Sequence, residues 1–304
     1  MIGGSAMSVR GKVVAVLGGD RRMAEAIHIF LQAGARVRVA GQQWERVPAG
    51  LQVCGEGAHA LAGAHVAILP VQGASDDGKV FTGPDAPPCQ VDAAGLKAMA
   101  VGSVVFAGIG NSYLRRICAE AGVALVEYRE ADEFAIWNAI PSAEGAIQMA
   151  MEATPFTMFG SRSLVLGFGR TGKAIALLMR GLFSDVTVAA RKELDFARIW
   201  AAGYKHVPMD QLASAVAQAD MIFNSVPAMV LTREVLERAP QHAAIIDVAS
   251  APGGTDFAAA RDLGLYAKLA PGLPGLVAPV TAGKIIAELI IRHLETIERE
   301  EGDR

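Results

Sequence analysis

The stretch from Ser163 to Gly172, which reads SLVLGFGRTG, constrains the fold of this chain more than any other. An apolar run leads into Gly167, Gly169 and Gly172, and a helical pattern follows. In such a strand–turn–helix unit the first glycine makes the turn, the second admits a pyrophosphate, and the third lets helix and strand pack closely. The stretch therefore predicts a dinucleotide-binding Rossmann domain. A glycine-rich turn without a ligand is the alternative.

This turn lies in the middle of the chain, which leaves about half of the sequence upstream for another domain. Apolar runs alternate with helical patterns in both halves, and this alternation favours parallel sheets that are covered on both faces. The predicted fold class is α/β, with two doubly wound parallel-sheet domains around a cleft. The predicted bounds are 8–140 for the N-terminal domain, 141–281 for the dinucleotide-binding domain and 282–299 for a closing helix. A helix over 141–154 is expected to bridge the domains.

Composition excludes several classes of protein. The 304 residues are 52% hydrophobic and 19% charged, as expected for a globular chain with a sizeable core. The net charge of −3 provides no basic surface for nucleic acid or an anionic membrane. No apolar run is long enough to span a bilayer, and residues 1–7 lack the features of a signal peptide. Three widely spaced cysteines favour a reducing compartment, so we expect a cytoplasmic protein.

The strand after the glycine turn bears on the choice of cofactor. NAD-binding domains usually carry a carboxylate about 20 residues after the turn, where it binds the ribose 2′-hydroxyl. Here the strand Asp185–Ala189 leads into Ala190, Arg191 and Lys192. Two cations in that place suit a 2′-phosphate, so NADP is the predicted cofactor and NAD the alternative. A solvated basic pair would look the same in the sequence.

Polar residues also follow later strands of the second half, namely Asn224–Pro227 and Asp247. Ligands of parallel sheets bind at the carboxyl ends of the strands, although turn chemistry alone selects similar residues. The predicted cofactor-binding residues are Gly167, Phe168, Gly169, Arg170, Thr171, Gly172, Arg191, Lys192, Asn224, Ser225, Val226, Pro227 and Asp247.

The first half has its own strand-end turn, Gly18-Gly19-Asp20, followed by Arg21 and Arg22. Helix N–H groups and guanidinium groups can hold a carboxylate, and a solvated helix face is the alternative for either arginine. Lys79 and Asn111 follow other strands of this half and are further candidates for substrate binding. The six histidines form no metal-binding spacing, and no metal site is predicted.

Seven stretches distributed along nearly the whole chain carry a family resemblance. They are VLGGD at 16–20, LPVQG at 69–73, NAIPSAEG at 138–145, VLGFGRTG at 165–172, NSVPA at 224–228, DVASAPGGTD at 247–256 and APGLPGLVAP at 270–279. In this order they resemble the dipicolinate synthase A subunits of spore-forming bacteria.

The resemblance implies a flavodoxin-like N-terminal domain, a Rossmann domain that binds NAD(P), and a closing helix that docks on the first domain. It also implies the last step to pyridine-2,6-dicarboxylate, the calcium-chelating acid of spores, in the cytoplasm of the mother cell. A flavoprotein-like B subunit is the implied partner in that step.

On this basis the predicted reaction is the oxidation of dihydrodipicolinate, or its hydrated precursor, to dipicolinate. Asn138 and Ser142 join the candidates for binding the two carboxylates, and Glu144 is the candidate for proton transfer, with helix packing as its alternative. One rival is a D-2-hydroxyacid or alanine dehydrogenase-like enzyme, although no histidine follows a late strand as hydroxyacid dehydrogenases require. The other rival is a cofactor-binding subunit without catalytic activity. Whether the protein forms a homo-oligomer stays open.

Overall fold

The computed structural model describes residues 9–302. The predictions for residues 1–7, and for the last two residues of the charged tail, lie outside this range. The chain divides into two compact units: the first runs to Ala135 and resumes at Pro279, and the second is Ile136–Ala278. The domain bounds 8–140, 141–281 and 282–299 stay predictions, and residue 8 itself is not described.

Strands and helices alternate through most of both units, as the crossovers of parallel sheets require. The strands are β1 (Val13–Leu17), β2 (Arg36–Ala40), β3 (Leu51–Val53), β4 (Val66–Ile68), β5 (Lys79–Val80), β6 (Cys89–Gln90), β7 (Val104–Ala107), β8 (Ala124–Glu127), β9 (Arg162–Leu166), β10 (Asp185–Ala190), β11 (Lys205–Pro208), β12 (Met221–Asn224), β13 (Ala244–Asp247) and β14 (Tyr266–Leu269). The helices are α1 (Arg21–Gln32), α2 (Gly57–Leu61), α3 (Ala93–Lys97), α4 (Ser112–Ala121), α5 (Asp132–Ala153), α6 (Arg170–Gly181), α7 (Glu193–Ala201), α8 (Leu212–Val216), α9 (Arg233–Leu236), α10 (Phe257–Asp262), α11 (Leu273–Val277) and α12 (Pro279–Gly302).

Each unit is built on a six-stranded parallel sheet, which confirms the predicted α/β class. The second sheet has the order β11-β10-β9-β12-β13-β14, the Rossmann arrangement. The first has the order β3-β2-β1-β4-β7-β8. The first sheet therefore has the same strand order as the second. Without its edge strand β3, the remaining five strands follow the flavodoxin order, so the flavodoxin-like prediction holds with one strand added.

Both faces of each sheet are covered by helices. In the first unit α1 and α12 pack on one face, and α2, α3 and α4 on the other. In the second unit α5, α6 and α7 cover one face, and α8, α9 and α10 cover the other. No helix in the described part of the chain is long and apolar enough to cross a membrane.

Helix α5 begins earlier than expected, at Asp132, and Pro141 lies inside it rather than at its start. The prediction of a helix beginning at Pro141 is therefore wrong at its N-terminal end. Phe134 is buried in a core of the first unit, whereas Ala143 and Ala150 are buried in a core of the second. Burial at both ends of the helix outweighs the cost of a proline that lacks an N–H donor.

Helices α1 and α12 pack very closely at Gly283. A Cβ at Gly283 would lie 2.3 Å from the Arg22 carbonyl oxygen and 2.6 Å from Glu25 Cβ. Glycine at this position lets the two helix backbones meet, which seats the last helix of the chain on the first.

We predict that Gly283→Ala destabilises the protein, because the backbone of α1 cannot yield to the added methyl group. The free energy of unfolding should fall by about 1–3 kcal/mol in urea denaturation. Gly181→Ala is the matched control, since no atom lies within 4 Å of a Cβ there. That change should leave stability unchanged or raise it by up to about 1 kcal/mol. Equal effects of the two substitutions would contradict the close contact at Gly283.

Candidate functional site

The turn between β9 and α6 requires glycine at two places. Gly167 has a φ of +87° and donates its N–H to the Ala189 carbonyl oxygen over 2.9 Å. A Cβ at Gly172 would lie 2.1 Å from the Gly167 carbonyl oxygen, a distance too short for any side-chain carbon. The helix therefore starts directly against the end of the strand, with its first-turn N–H groups at the carboxyl edge of the sheet.

Gly169 is the N-cap residue of α6, and it has no side chain to accept from these N–H groups. A Cβ built on Gly169 meets nothing within 4 Å, so open space adjoins the helix start. Phe168 is buried in the core, Thr171 is half-buried, and Arg170 is exposed. An open helix N-terminus without a capping side chain fits the pyrophosphate of a dinucleotide.

The segment after β12 is tied to this turn. The backbone N–H and the hydroxyl of Ser225 both donate to the Leu166 carbonyl oxygen, over 3.0 and 2.8 Å. Val226 donates its N–H to Asn224 Oδ1 over 3.0 Å, and Pro227 is exposed. These contacts bring the predicted residues of 224–227 beside the glycine turn.

Asp247 at the end of β13 is completely buried and holds neighbouring segments together. Its Oδ2 accepts from Asn224 Nδ2 over 3.0 Å, from the Gly254 N–H over 2.8 Å and from Thr255 Oγ1 over 2.7 Å. Its Oδ1 accepts from the Ala249 N–H over 3.0 Å. Because these four donors all belong to the chain, Asp247 fixes the loops at the sheet edge. The sequence does not mark Thr255 as the partner of Asp247, although Gly253-Gly254-Thr255 is typical of a turn.

Two cations that bear on the choice between NAD and NADP follow the end of β10. Ala189 pairs with Leu166 in the parallel register, so the next residues lie beside the glycine turn. Arg191 and Lys192 are exposed, and α7 begins immediately afterwards. No carboxylate precedes Glu193 at this strand end.

The glycine turn of the first unit is filled by the chain itself. The Gly19 N–H donates to the Phe81 carbonyl oxygen over 2.7 Å, and a Cβ at Gly18 would lie 2.4 Å from that same oxygen. The Asp20 side chain caps α1 by accepting from the Arg22 N–H over 3.1 Å. The start of α1 is therefore occupied by the Asp20 carboxylate, and the turn before it by the Phe81 backbone, unlike the open start of α6.

The two arginines of that turn differ in environment. Arg22 is 5% exposed, and its Nε and Nη2 donate to Asp20 over 2.9 and 2.6 Å. Burial raises the pKa of Asp20, but the hydrogen bonds and charge of Arg22 outweigh it, so the pKa lies below its ordinary value. Arg21 is exposed. Beside the pair, Tyr128 is wholly buried, which raises its phenol pKa. No sequence pattern marked Tyr128.

Lys79 ends the turn at 74–79, and Asn111 contacts the same turn. Lys79 pairs with Asp77 over 2.6 Å, and Asn111 donates to the Ala74 carbonyl oxygen and to Asp76 Oδ1, each over 2.9 Å. Asn111 also caps α4. No contact joins this group to Arg21 within the described chain.

The remaining candidates lie on α5 of the second unit. Ser142 Oγ donates to the Asn138 carbonyl oxygen over 2.9 Å, and Glu144 is exposed. Among residues 9–302, no group of three His, Cys, Asp or Glu side chains could hold a metal ion.

Two family profiles match the chain. Residues 13–129 match the N-terminal domain of the dipicolinate synthase A subunit, and residues 136–252 match the NAD binding domain of D-isomer specific 2-hydroxyacid dehydrogenases. The second match falls on the open glycine turn. A nicotinamide-binding domain of this type makes the chain an NAD-dependent oxidoreductase.

Relatives match over the whole length of the chain. The A subunit of dipicolinate synthase from Bacillus subtilis strain 168 is 38% identical over 293 residues, which cover 96% of this chain and 99% of the relative. The crystal structure of dipicolinate synthase, A chain, from Bacillus subtilis has a TM-score of 0.88 at 37% identity, covering 98% of this chain and 100% of that chain. The crystal structure of the A subunit from Bacillus halodurans has a TM-score of 0.87 at 35% identity, covering 94% and 98%.

We predict that Asp247→Asn lowers stability. The Asp247 carboxylate accepts four hydrogen bonds, whereas an asparagine amide would place its own N–H groups against some of the same donors. The free energy of unfolding should fall by about 1–3 kcal/mol, and dinucleotide affinity should fall with it as the loops loosen. Urea denaturation and fluorescence titration with reduced nicotinamide dinucleotide measure the two effects. Asp262→Asn is the control, because its side chain is 60% exposed and should change stability by less than about 0.5 kcal/mol. An Asp247→Asn protein as stable as this control would contradict the bridging role.

Proposed function

Because the chain belongs to the family of dipicolinate synthase A subunits, we propose that it oxidises dihydrodipicolinate, or its hydrated precursor, to dipicolinate. The dihydro ring loses two hydrogens, one as a hydride and one as a proton, and becomes aromatic. NADP, when bound, supplies the carbon that accepts the hydride. The protein must therefore bind the dinucleotide, hold a ring with two carboxylates and remove one proton.

The open glycine turn at Gly167–Gly172 is the observation that carries this proposal. Its helix start lacks a capping side chain, and Gly169 adjoins open space. The backbone of 167–172 would hold the pyrophosphate, and the segment 224–227 would line the same crevice. Asp247 is proposed as a positioning residue, since its oxygens already have four donors.

The preference for NADP over NAD depends on Arg191 and Lys192. A 2′-phosphate needs cations where NAD-binding domains place a carboxylate. Both side chains are exposed, and Glu193 is the first carboxylate beyond the strand. We therefore propose that Arg191 and Lys192 contact the 2′-phosphate.

For the dicarboxylate substrate, we propose Arg21 as the main cation, because its guanidinium has no ion-pair partner in the described chain. Asn138 and Ser142 are proposed as further hydrogen-bonding groups, and Glu144 as the proton acceptor. Lys79 is a weaker candidate, since Asp77 already neutralises it.

Arg22 and Asn111 are proposed to position other groups rather than to touch substrate. Arg22 is engaged with Asp20, and Asn111 is engaged with the 74–79 turn. Both keep a strand end in place beside the exposed candidates.

The proposal includes a partner. The relatives are named as A subunits, which implies a second subunit, and we propose a flavoprotein-like B subunit that takes part in the same step. The product would serve spore formation in the mother cell of a sporulating bacterium.

The reaction is tested with the purified chain, dihydrodipicolinate and either NADP or NAD, with and without the B subunit. We expect the ultraviolet absorbance of a pyridine dicarboxylate to rise together with that of the reduced nicotinamide, more rapidly with NADP. Product formed only with the B subunit, without reduction of nicotinamide, would show a non-catalytic subunit. Oxidation of D-2-hydroxy acids or alanine, but not of the dihydro ring, would show the dehydrogenase alternative.

We predict that Arg191→Ala raises the KM for NADP by about tenfold or more, because a charged hydrogen bond to the phosphate is lost. The KM for NAD should not rise, since NAD lacks that phosphate. Arg198→Ala is the control, because this exposed arginine lies further along α7 and pairs with Asp195. Equal changes for both dinucleotides would contradict a contact between Arg191 and the 2′-phosphate.

A further inference from the structure

Asp247 carries a buried negative charge without a positive charge beside it. Among the described residues it is the one buried carboxylate, and Arg22 is the one buried cation. Arg22 pairs with Asp20, whereas Asp247 has four neutral donors and forms no ion pair within the described chain. Burying an unpaired charge costs free energy, and a neutral acceptor could also hold loops together. The charge of Asp247 is therefore more than the fold requires.

The hydrogen bonds of Asp247 are those of a charged carboxylate. Three of the four donors are N–H groups, which can only donate, and they reach both oxygens. Ala249 bonds Oδ1, and Asn224 and Gly254 bond Oδ2. The Asn224 amide is oriented by its own Oδ1, which accepts from the Val226 N–H over 3.0 Å. A neutral acid would instead place its own O–H against an acceptor.

Two glycines let the chain close over this carboxylate. A Cβ at Gly253 would lie 3.0 Å from Asp247 Oδ2, and a Cβ at Gly254 would lie 2.3 Å from the Ala228 carbonyl oxygen. The loop after β13 thus packs against both the carboxylate and the loop after β12. As a result Asp247 is 0% exposed. Because water does not reach the charge, its field is screened less than that of a surface residue.

The position of Asp247 in the sheet determines which half of a dinucleotide it faces. A Rossmann sheet binds a dinucleotide across the crevice beside its first strand, with one mononucleotide half on each side. Arg191 and Lys192 follow β10 on one side, where the 2′-phosphate of the adenosine half is proposed to bind. The nicotinamide half then belongs to the other side, at the ends of β12 and β13. Asp247 ends β13 and pairs in register with Asn224, the last residue of β12.

The oxidised and reduced forms of the cofactor differ in charge on that half. The oxidised nicotinamide ring is a cation and the reduced ring is neutral, whereas the phosphates are the same in both forms. A fixed negative charge therefore favours the oxidised form. On the neighbouring strand β14 the Lys268 ammonium lies 5.5 Å from the Tyr266 ring centroid, and no ion pair joins it to Asp247 in the described chain.

We propose that Asp247 makes the site prefer NADP⁺ over NADPH, through an uncompensated negative charge on the nicotinamide side of the sheet. This inference rests on the proposed function for the direction in which the cofactor is used. An enzyme that oxidises its substrate takes up the oxidised cofactor and releases the reduced one, and this charge supports both steps. It also makes bound NADP⁺ a weaker oxidant, which a reaction that forms an aromatic ring tolerates.

The test compares the Kd values of NADP⁺ and NADPH for the purified full chain and three variants, without substrate. Fluorescence titration gives the Kd of NADPH, and calorimetry gives that of NADP⁺. In Asp247→Asn the ratio of the NADP⁺ Kd to the NADPH Kd should rise about tenfold. One charge acting over roughly 10 Å at an effective dielectric of about 20 changes an equilibrium by about that factor. The same rise corresponds to about 30 mV in the potential of the bound nicotinamide.

Two further variants separate the charge from the hydrogen bonds. Asp247→Ser is a second neutral variant and should raise the ratio in the same way. Thr255→Val is the matched control, because Thr255 is 2% exposed and its hydroxyl donates to Asp247 Oδ2 over 2.7 Å. It removes a donor and keeps the charge, so both Kd values should change together, with a ratio within about twofold of wild type. NAD⁺ and NADH should show the same pattern, since their nicotinamide is identical.

Three results would overturn the role of this charge. They are an unchanged ratio in the neutral variants, an equal rise in Thr255→Val, and tighter binding of NADPH than of NADP⁺ by the wild type. Normal binding with an unchanged ratio would leave the proposed oxidation standing. A wild-type protein that binds neither dinucleotide would overturn both this inference and the proposed cofactor.

Discussion

The contact between Gly172 and the Gly167 carbonyl oxygen is the constraint on which the second unit depends. Because no Cβ intervenes, α6 starts directly at the end of β9, and its N–H groups meet the edge of the sheet. Ser225 then binds the same strand end through two hydrogen bonds to Leu166. Asp247 connects that segment to the next loop. Each neighbouring strand end is thus fixed relative to the helix start that would hold a dinucleotide.

The two units show how similar turns acquire different uses. Both sheets place a glycine turn at the end of the first strand and before a long helix. In the second unit Gly169 leaves the helix start open, whereas in the first Asp20 caps it and the Phe81 carbonyl oxygen, just after β5, accepts from the Gly19 N–H. The Asp20 carboxylate already accepts from the Arg22 N–H, one of the first-turn N–H groups that a phosphate would need. One turn is therefore suited to a dinucleotide and the other is not.

The sequence predicted what depends on local patterns and missed what depends on distant contacts. Apolar runs of four to six residues located most strands of both sheets, and the glycine spacing located the turn. The strands β3 (LQV), β5 (KV), β6 (CQ) and β11 (KHVP) were missed, because each contains a polar residue and none forms an apolar run. The pairing of Arg22 with Asp20, and the burial of Tyr128, arise from packing that no short motif records. The early start of α5 followed from cores at both of its ends, which outweighed the signal of Pro141.

The packing of α12 on α1 has a consequence for biosynthesis. Ile286, Ile290 and Leu294 of α12 complete a core to which residues from Val9 to Phe134 contribute, and Lys12 pairs with Glu298. The second unit is continuous in sequence, whereas the first is interrupted by it. Domains fold as units during translation, so the segment made first cannot complete its core until the last helix leaves the ribosome. The intervening unit can finish folding earlier, and until then the nascent N-terminal sheet has one apolar face that α1 covers only in part.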